Sequence, residues 1–223
     1  MLVWVSVGLV ALALAIVAKW LAFRRDSLGR PRRFPVISVA VLLVSAVAVS
    51  IPTVLRLREE ATLTRAATGL TGLRTLHVHC QTLGEAFVDA DAELGFVQFR
   101  PDGTPEPSTI IKRDQCGDLA DYLGSDKTDP TLDQIVAVHV LTHESMHMAG
   151  IRGEAQAECA AMQRDAQTAM LLGASELAGT KLAARYWEHV YPRMPDDYRS
   201  WECAPGARMD ERRPDAPWAP ITS

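Results

Sequence analysis

Two apolar segments at the start of the chain constrain its fold more than any other feature of the sequence. The first covers residues 2–23 and is interrupted only by Lys19, and the second covers residues 36–55 and contains no charged residue. Each is about 20 residues long, which is the length that an α-helix needs to cross the hydrocarbon core of a bilayer. We therefore expect a two-helix membrane hairpin over residues 1–55. A cleaved signal peptide is the alternative for the first segment, but no basic residue precedes its apolar stretch.

The charges beside these segments predict how the hairpin is oriented. The loop at residues 24–35 contains five arginines and one aspartate, and basic residues in short loops are retained in the cytoplasm. The second helix then returns the chain to the other side of the membrane. We expect a helical or flexible stalk at residues 56–72 and an extracytoplasmic domain at residues 73–223. The expected location is the cell membrane, with two passes and the lipid bilayer as a partner.

The part of the chain after the hairpin is acidic. Residues 56–223 contain 17 basic and 26 acidic side chains, which gives a formal charge of −9. Proteins that bind nucleic acid need a basic surface for the phosphates, so the composition argues against nucleic acid as a partner. Arginine outnumbers lysine by 19 to 4, and alanine and valine are abundant. This composition is typical of bacterial proteins from genomes rich in G and C.

All four cysteines lie in the acidic part of the chain. An even number of cysteines in an oxidising compartment predicts disulfide bonds, here two. Three pairings are possible, and we favour Cys80–Cys116 with Cys159–Cys203 because each bond then closes a loop within one half of the domain. Four free thiols or a metal site are the alternatives. The absence of a C-x-x-C spacing argues against a cysteine-type zinc site.

The local patterns of residues 73–223 predict a mixed α+β domain. Alternating or β-branched stretches favour strands in the first half, whereas the second half shows helical periodicity. The predicted strands are residues 73–80, 95–100 and 109–112. The predicted helices are residues 116–123, 129–149, 153–172 and 175–191, and an irregular tail follows from residue 192.

The first long helix contains an H-E-x-x-H motif at residues 143–147. His143 and His147 are four residues apart and therefore lie on one helix face, so that both imidazoles can reach one Zn²⁺ ion. Glu144 can hold a water molecule at the metal and accept its proton. A catalytic zinc site also needs a third protein ligand and an open position for water.

The next helix offers the third ligand. Glu154 and Glu158 form an E-x-x-x-E element that resembles the E-x-x-x-D/E element of gluzincin metallopeptidases, in which the first acid binds the metal and the second orients a ligand histidine. The same stretch is similar to the metzincin signature H-E-x-x-H-x-x-G-x-x-H. Gly150 matches the glycine of that signature, Gly153 stands at the position of its third histidine, and Glu154 is the next residue. Both resemblances point to Glu154.

These resemblances imply a zincin-like domain, mainly helical with a small β-hairpin or sheet. They imply a membrane-anchored, zinc-dependent metallopeptidase that hydrolyses peptide or protein substrates. His143, His147 and Glu154 would bind Zn²⁺, and Glu144 would be the catalytic base. Glu158 would orient a ligand or serve as the reserve ligand.

Other residues and other functions stay open. His139, one turn before the motif, is expected to support a ligand rather than to bind as a fourth, because a fourth ligand would displace the water. Tyr186, His189 and Tyr198 could each stabilise an oxyanion, and the spacing does not select among them. The strand pair within residues 95–112 is either an edge for an extended substrate or a solvated loop.

The alternative functions are a non-catalytic binding or structural protein with a degenerate metal site, and a zinc hydrolase acting on non-peptide amides.

Overall fold

The chain folds into two units, Met1–Arg58 and Glu59–Ser223. The computed structural model describes residues 2–25, 29–88 and 93–219. Residues 26–28 of the predicted cytoplasmic loop, and the last four residues of the predicted irregular tail, lie outside these ranges.

Two helices open the chain, α1 (Leu2–Ala22) and α2 (Val36–Thr71). Both are long and apolar enough to cross a membrane. Their positions agree with the two apolar segments of the sequence, but α2 extends 16 residues beyond the predicted end at residue 55. The extension covers the segment that was predicted as a stalk.

The predicted stalk is helical, but most of it is part of the second unit. Leu63, Ala66 and Ala67 are buried in the hydrophobic core of that unit. These positions are three and four residues apart and share one face of the helix. Gly72 then ends the helix with a φ of +72°, a conformation that glycine adopts without strain. The domain predicted from residue 73 therefore begins near Glu59.

A three-stranded sheet forms part of the second unit. Its strands are β1 (His77–Cys80), β2 (Gly95–Phe99) and β3 (Pro105–Ile111), in the order β1-β3-β2. The central strand β3 runs parallel to β1 and antiparallel to β2, and the register shifts between Val97 and Phe99. β2 is therefore an edge strand. β1 begins four residues later than predicted and β3 begins four residues earlier.

Six further helices complete the second unit, and the predicted α+β class is confirmed as mostly helical with a small sheet. They are α3 (Leu83–Val88), α4 (Arg113–Gly124), α5 (Leu132–Met148), α6 (Glu154–Met162), α7 (Asp165–Leu171) and α8 (Glu176–His189). A short 3-10 turn, Tyr191–Arg193, follows α8. The helix α3 was not predicted.

The helix predicted at residues 153–172 is instead two helices. The break falls at Gln163 and Arg164, between α6 and α7. The fully buried Gln163 side chain donates to the backbone oxygen of Met209 at 3.0 Å and accepts from the backbone N–H of Glu211 at 2.8 Å. The C-terminal tail is thus fastened to the break, where its backbone polar groups find partners.

Both favoured disulfides, Cys80–Cys116 and Cys159–Cys203, are present. The first joins the end of β1 to α4. The second joins α6 to the C-terminal tail. Together with Gln163, the second bond holds the tail against the helices, so the predicted irregular segment is an ordered part of the domain.

The helix α5 lies at the centre of the second unit. It contacts α4, α6, α7, α8, β2 and β3. It begins with a capping box, in which Thr131 and Gln134 exchange side-chain and backbone hydrogen bonds, and this favours helix nucleation. It ends before Gly150, whose φ of +102° fits the predicted helix stop. The H-E-x-x-H motif is therefore held on the most enclosed helix of the domain.

Candidate metal centre

Three ligand atoms converge where α5 ends and α6 begins. The Nε2 atoms of His143 and His147 are 2.9 Å apart, and Glu154 Oε2 lies 3.2 Å from each of them. The two histidines come together because they are one helical turn apart on α5. The glycine turn at residue 150 reverses the chain and brings the first residue of α6 back to them. This group could hold a metal ion.

Hydrogen bonds fix both imidazole rings so that Nε2 faces the cluster. His147 Nδ1 donates to the backbone oxygen of Ile151 at 2.7 Å, and His143 Nδ1 donates to Glu158 Oε2 at 3.0 Å. Because Nδ1 of each ring keeps its own hydrogen-bond partner, a metal would replace only a proton on Nε2, the nitrogen that faces Glu154. Hydrogen bonds from His143 and His147 lower the pKa of Glu154 to about 2. Glu154 therefore carries a negative charge at neutral pH.

Glu144 points from α5 toward the sheet. Its carboxyl group is buried, and its Oε2 lies 3.4 Å from the Thr109 hydroxyl of β3. β2 approaches so closely that a β-carbon at Gly95 would lie 3.0 Å from Glu144 Cγ. Burial raises the pKa of Glu144 to about 7, against the opposing effect of the two motif histidines. A carboxyl group with a pKa near neutrality can both accept and return a proton.

Behind His143 lies a buried network centred on Glu158. Glu158 Oε2 accepts from His139 Nε2 at 2.9 Å as well as from His143, and Glu158 Oε1 accepts from the Tyr186 hydroxyl at 2.7 Å. His139 Nδ1 lies 2.9 Å from Asp165 Oδ2, and its ring stacks on Tyr186 at 3.7 Å. The side chains of Glu158, His139 and Asp165 are almost completely buried.

The charges in this network stabilise one another. Although burial alone would lower the pKa of His139, the carboxylates of Asp165 and Glu158 raise it to about 10. His139 can then donate from both ring nitrogens, one to each carboxylate. Burial opposes ionisation of Glu158, but the charge of His139 and the hydrogen bonds it receives hold the pKa of Glu158 well below its usual range.

A cavity of about 540 Å³ opens onto the cluster. The edge strand β2 forms one wall, and α5 carries His143, Glu144 and His147 along another. Tyr198 also lines the cavity, and its ring centre is 5.7 Å from that of His143. Burial, followed by the nearby Glu154 carboxylate, raises the pKa of Tyr198 to about 12. Its phenol therefore stays protonated and can donate a hydrogen bond into the cavity.

The remaining candidates from the sequence lie elsewhere. Tyr186 is engaged by Glu158, and His189 is more than half exposed at the end of α8, outside the cavity lining. Two further groups have the spacing of a metal site. One is His139 with His143 and Glu158, within the buried network, and the other is Glu59 with Cys80 and Cys116, whose two sulfur atoms are bonded to each other.

The structure brings together the motif histidines, Glu144 and Glu154 as the sequence predicted, and it places Glu158 and His139 directly behind them. Asp165 was missed, because it is 26 residues from His139 and no local pattern connects the two. No protein-family model, no curated protein and no solved structure matches the chain.

Proposed function

We propose that the protein is a membrane-anchored zinc-dependent peptidase of the zincin type. The observation that carries this proposal is the convergence of His143 Nε2, His147 Nε2 and Glu154 Oε2 at a cavity that also contains the buried carboxyl group of Glu144. Two histidines and one glutamate form a ligand set used by catalytic zinc sites, which keep the fourth position open.

The distances between the ligand atoms fit such an ion. Zinc bound to nitrogen and oxygen at 2.0–2.2 Å in tetrahedral geometry sets its ligand atoms roughly 3.3–3.6 Å apart. The three atoms are separated by 2.9 to 3.2 Å, so small side-chain adjustments would accommodate the ion. His143 Nδ1 is bonded to a carboxylate and His147 Nδ1 to a backbone carbonyl group. These are the kinds of partner that orient zinc-binding histidines in proteins.

The protein side chains divide the chemistry between them. When bound, zinc supplies Lewis acidity that polarises a substrate carbonyl. Glu144 accepts the proton of the attacking water and returns it to the leaving nitrogen, a role that its raised pKa suits. Tyr198 donates its hydroxyl proton as a hydrogen bond to the oxygen that gains negative charge.

The edge strand favours a peptide over other amides as the substrate. Within the described residues, no strand pairs with the outer edge of β2, and residues of β2 line the cavity. An extended peptide can add to such an edge through backbone hydrogen bonds, which place its carbonyl groups along the strand. This choice separates the proposal from a hydrolase of small non-peptide amides.

The membrane topology is part of the same proposal. The arginine-rich loop at residues 24–35 lies in the cytoplasm, and the second unit with the metal centre is extracytoplasmic. The two disulfides support this location, because disulfides persist in oxidising compartments.

Metal analysis and hydrolysis of a mixed peptide library by the full chain in lipid nanodiscs test the proposal. The wild-type protein is expected to contain one zinc ion and to cleave peptides. Glu144→Gln should keep the metal but lower turnover by roughly 10²–10⁴-fold, the usual contribution of a general base, whereas Glu154→Ala should lose metal affinity. Glu188→Gln, an exposed substitution on α8, is the matched control and should change neither property.

The outcomes separate the alternatives. A wild-type protein without zinc would refute the enzyme proposal. Zinc without hydrolysis of any peptide would favour a non-catalytic binding protein. Retention of zinc by Glu154→Ala together with its loss from Glu158→Ala would move the third ligand by one helical turn.

A further inference from the structure

Arg152 occupies the turn between α5 and α6 and lines the metal-site cavity. Its guanidinium carbon lies 5.6 Å from the ring centre of Phe99 at the end of β2. Its Nη1 atom rests against Gly103 in the β2–β3 turn, where a β-carbon would come within 2.5 Å of it. The exposed guanidinium therefore lies against an aromatic face and beside a glycine.

The guanidinium has no partner in the part of the chain that the structure describes. Within residues 2–25, 29–88 and 93–219 it lies against the Phe99 ring and Gly103, and it forms no hydrogen bond or ion pair. Arg100, in the same hairpin, differs in this respect, because its Nε and Nη2 atoms donate to the carboxylate of Glu106 at 2.7 and 2.9 Å. Arg152 can thus offer its planar set of N–H donors to a ligand.

None of the acidic side chains that line the cavity is paired with Arg152 within the described residues. Glu154 is engaged by the two motif histidines, and Glu144 is buried against the sheet. Glu93 also lines the cavity, and among the described residues it forms no ion pair with Arg152. Among the described side chains that line the cavity, Arg152 is a cation that lacks a carboxylate partner, so it can attract a negatively charged substrate group at a point away from the proposed metal position.

Arg152 lies several residues along β2 from Glu144. The Phe99 ring is 6.0 Å from the His147 ring, so the guanidinium carbon lies less than about 12 Å from His147. β2 leads from Gly95, beside Glu144, to Phe99, beneath Arg152. A peptide extended along this edge rises about 3.4 Å per residue, and so reaches Arg152 roughly three to four residues from Glu144.

We infer that Arg152 is a specificity-determining residue that binds a carboxylate of the substrate three to four residues from the cleaved bond. The inference rests on the proposed peptidase function. A peptide antiparallel to β2 would present an acidic side chain on the N-terminal side of that bond. A peptide parallel to β2 would present an acidic side chain, or its free C-terminal carboxylate, on the C-terminal side. In each case two N–H groups of Arg152 donate to the two carboxylate oxygens.

Peptide binding to the full chain in nanodiscs tests the inference without turnover. The protein carries Glu144→Gln so that peptides are not consumed, and fluorescence anisotropy gives the dissociation constants. One set of labelled, end-blocked, neutral decapeptides carries a single glutamate moved from position to position. A second set compares a free C-terminus with a C-terminal amide. The neutral parent peptide is the reference.

We expect one carboxylate position to bind at least tenfold more tightly than the neutral parent. Arg152→Gln should abolish this gain without weakening the neutral peptide, and Arg152→Lys should keep part of it, because lysine supplies the charge but not the fork of donors. Arg100→Gln is the matched control and should keep all of it. A gain in the glutamate series would identify an acidic side chain as the bound carboxylate. A gain for the free C-terminus over the C-terminal amide would identify the terminal carboxylate.

A gain that survives Arg152→Gln, or no gain at any position, would overturn the inference. The proposed function would remain testable by itself, because zinc content and hydrolysis by the wild-type protein are measured separately. A protein that binds the carboxylate peptide through Arg152 but cleaves nothing would reject the peptidase and retain the binding site.

Discussion

Glu158 links the proposed metal centre to the core of the domain. Its carboxylate accepts hydrogen bonds from His139, His143 and Tyr186 at 2.9, 3.0 and 2.7 Å. We predict that Glu158→Gln, which preserves the volume of the side chain, destabilises the domain and weakens metal binding together. The amide keeps one acceptor oxygen but removes the negative charge that faces His139.

The magnitude of the loss follows from burial. Removal of one partner from a buried ion pair costs about 3–5 kcal/mol when the remaining charge is left uncompensated, and this is an upper bound here because His139 keeps its pair with Asp165. For a domain of this size each kcal/mol lowers the melting temperature by about 2–4 °C, so a decrease of up to roughly 20 °C is expected. The loss of the group that orients a ligand histidine lowers metal affinity about 10–100-fold.

A second substitution isolates one of the three contacts. Tyr186→Phe removes the hydroxyl that donates to Glu158 Oε1 but keeps the aromatic ring that stacks on His139. A hydrogen bond to a charged group is worth about 1.5–3 kcal/mol. Because the bonds from Glu158 to His139 and His143 are retained, Tyr186→Phe should lower the melting temperature less than Glu158→Gln and leave metal affinity nearly unchanged.

Thermal unfolding of the metal-free and zinc-loaded full chain, with chelator competition for metal affinity, measures both quantities. Glu188→Gln, the exposed substitution on α8, is the control for the loss of one carboxylate. A Glu158→Gln protein that melts within 2 °C of wild type and binds zinc equally well would refute the role of Glu158 as the centre of the network. Equal effects of Glu158→Gln and Tyr186→Phe would refute the division between stability and metal orientation.

Two further predictions concern the geometry of the site and its dependence on pH. Gly95→Ala should displace Glu144, because the new β-carbon would lie 3.0 Å from its Cγ. We expect a roughly 10²-fold fall in peptide hydrolysis with unchanged zinc content. Gly117→Ala is the control, because a β-carbon there would meet no atom within 4 Å. The pKa of His139, lowered by burial but raised overall to about 10 by Asp165 and Glu158, exceeds the free value of 6.5. Its stabilising charge is therefore fully present below pH 6.5 and is lost as pH rises toward 10. The melting temperature of the metal-free wild type should fall more steeply over that range than that of His139→Gln, and parallel slopes would contradict this.

Local sequence signals predicted the parts of the site that depend on local geometry. The spacing of His143 and His147 is sufficient to place both rings on one helix face, and a positive φ at Gly150 is sufficient to end the helix. The position of Glu154 follows because so few residues connect it to the motif. The disulfide pairs were predicted from their order along the chain, with no geometric constraint beyond it.

Contacts between segments that are far apart in the sequence could not be predicted from local sequence patterns. Asp165 meets His139 across 26 residues, and its position depends on the break between α6 and α7. That break depends in turn on Gln163, which binds a tail segment more than 40 residues away. The parallel pairing of β1 with β3 likewise joins strands that are separated by β2 and α3. Such contacts are fixed by tertiary packing, which overrides local preference.

The two halves of α5 differ in composition, although both are buried. Its first half buries Ile135, Val138 and Leu141, but Thr142–His147 places mostly polar side chains at positions that are equally buried. The hydroxyl groups of Thr142 and Ser145 donate to backbone carbonyl groups four residues earlier in the same helix. The imidazoles of His143 and His147 have partners outside the helix, at Glu158 and Ile151. Buried polar groups with partners make only a small net contribution to stability, and apolar side chains of similar volume often pack as well or better. A central helix selected for packing alone would therefore continue its apolar pattern to the end of α5, and the proposed metal centre accounts for the polar second half.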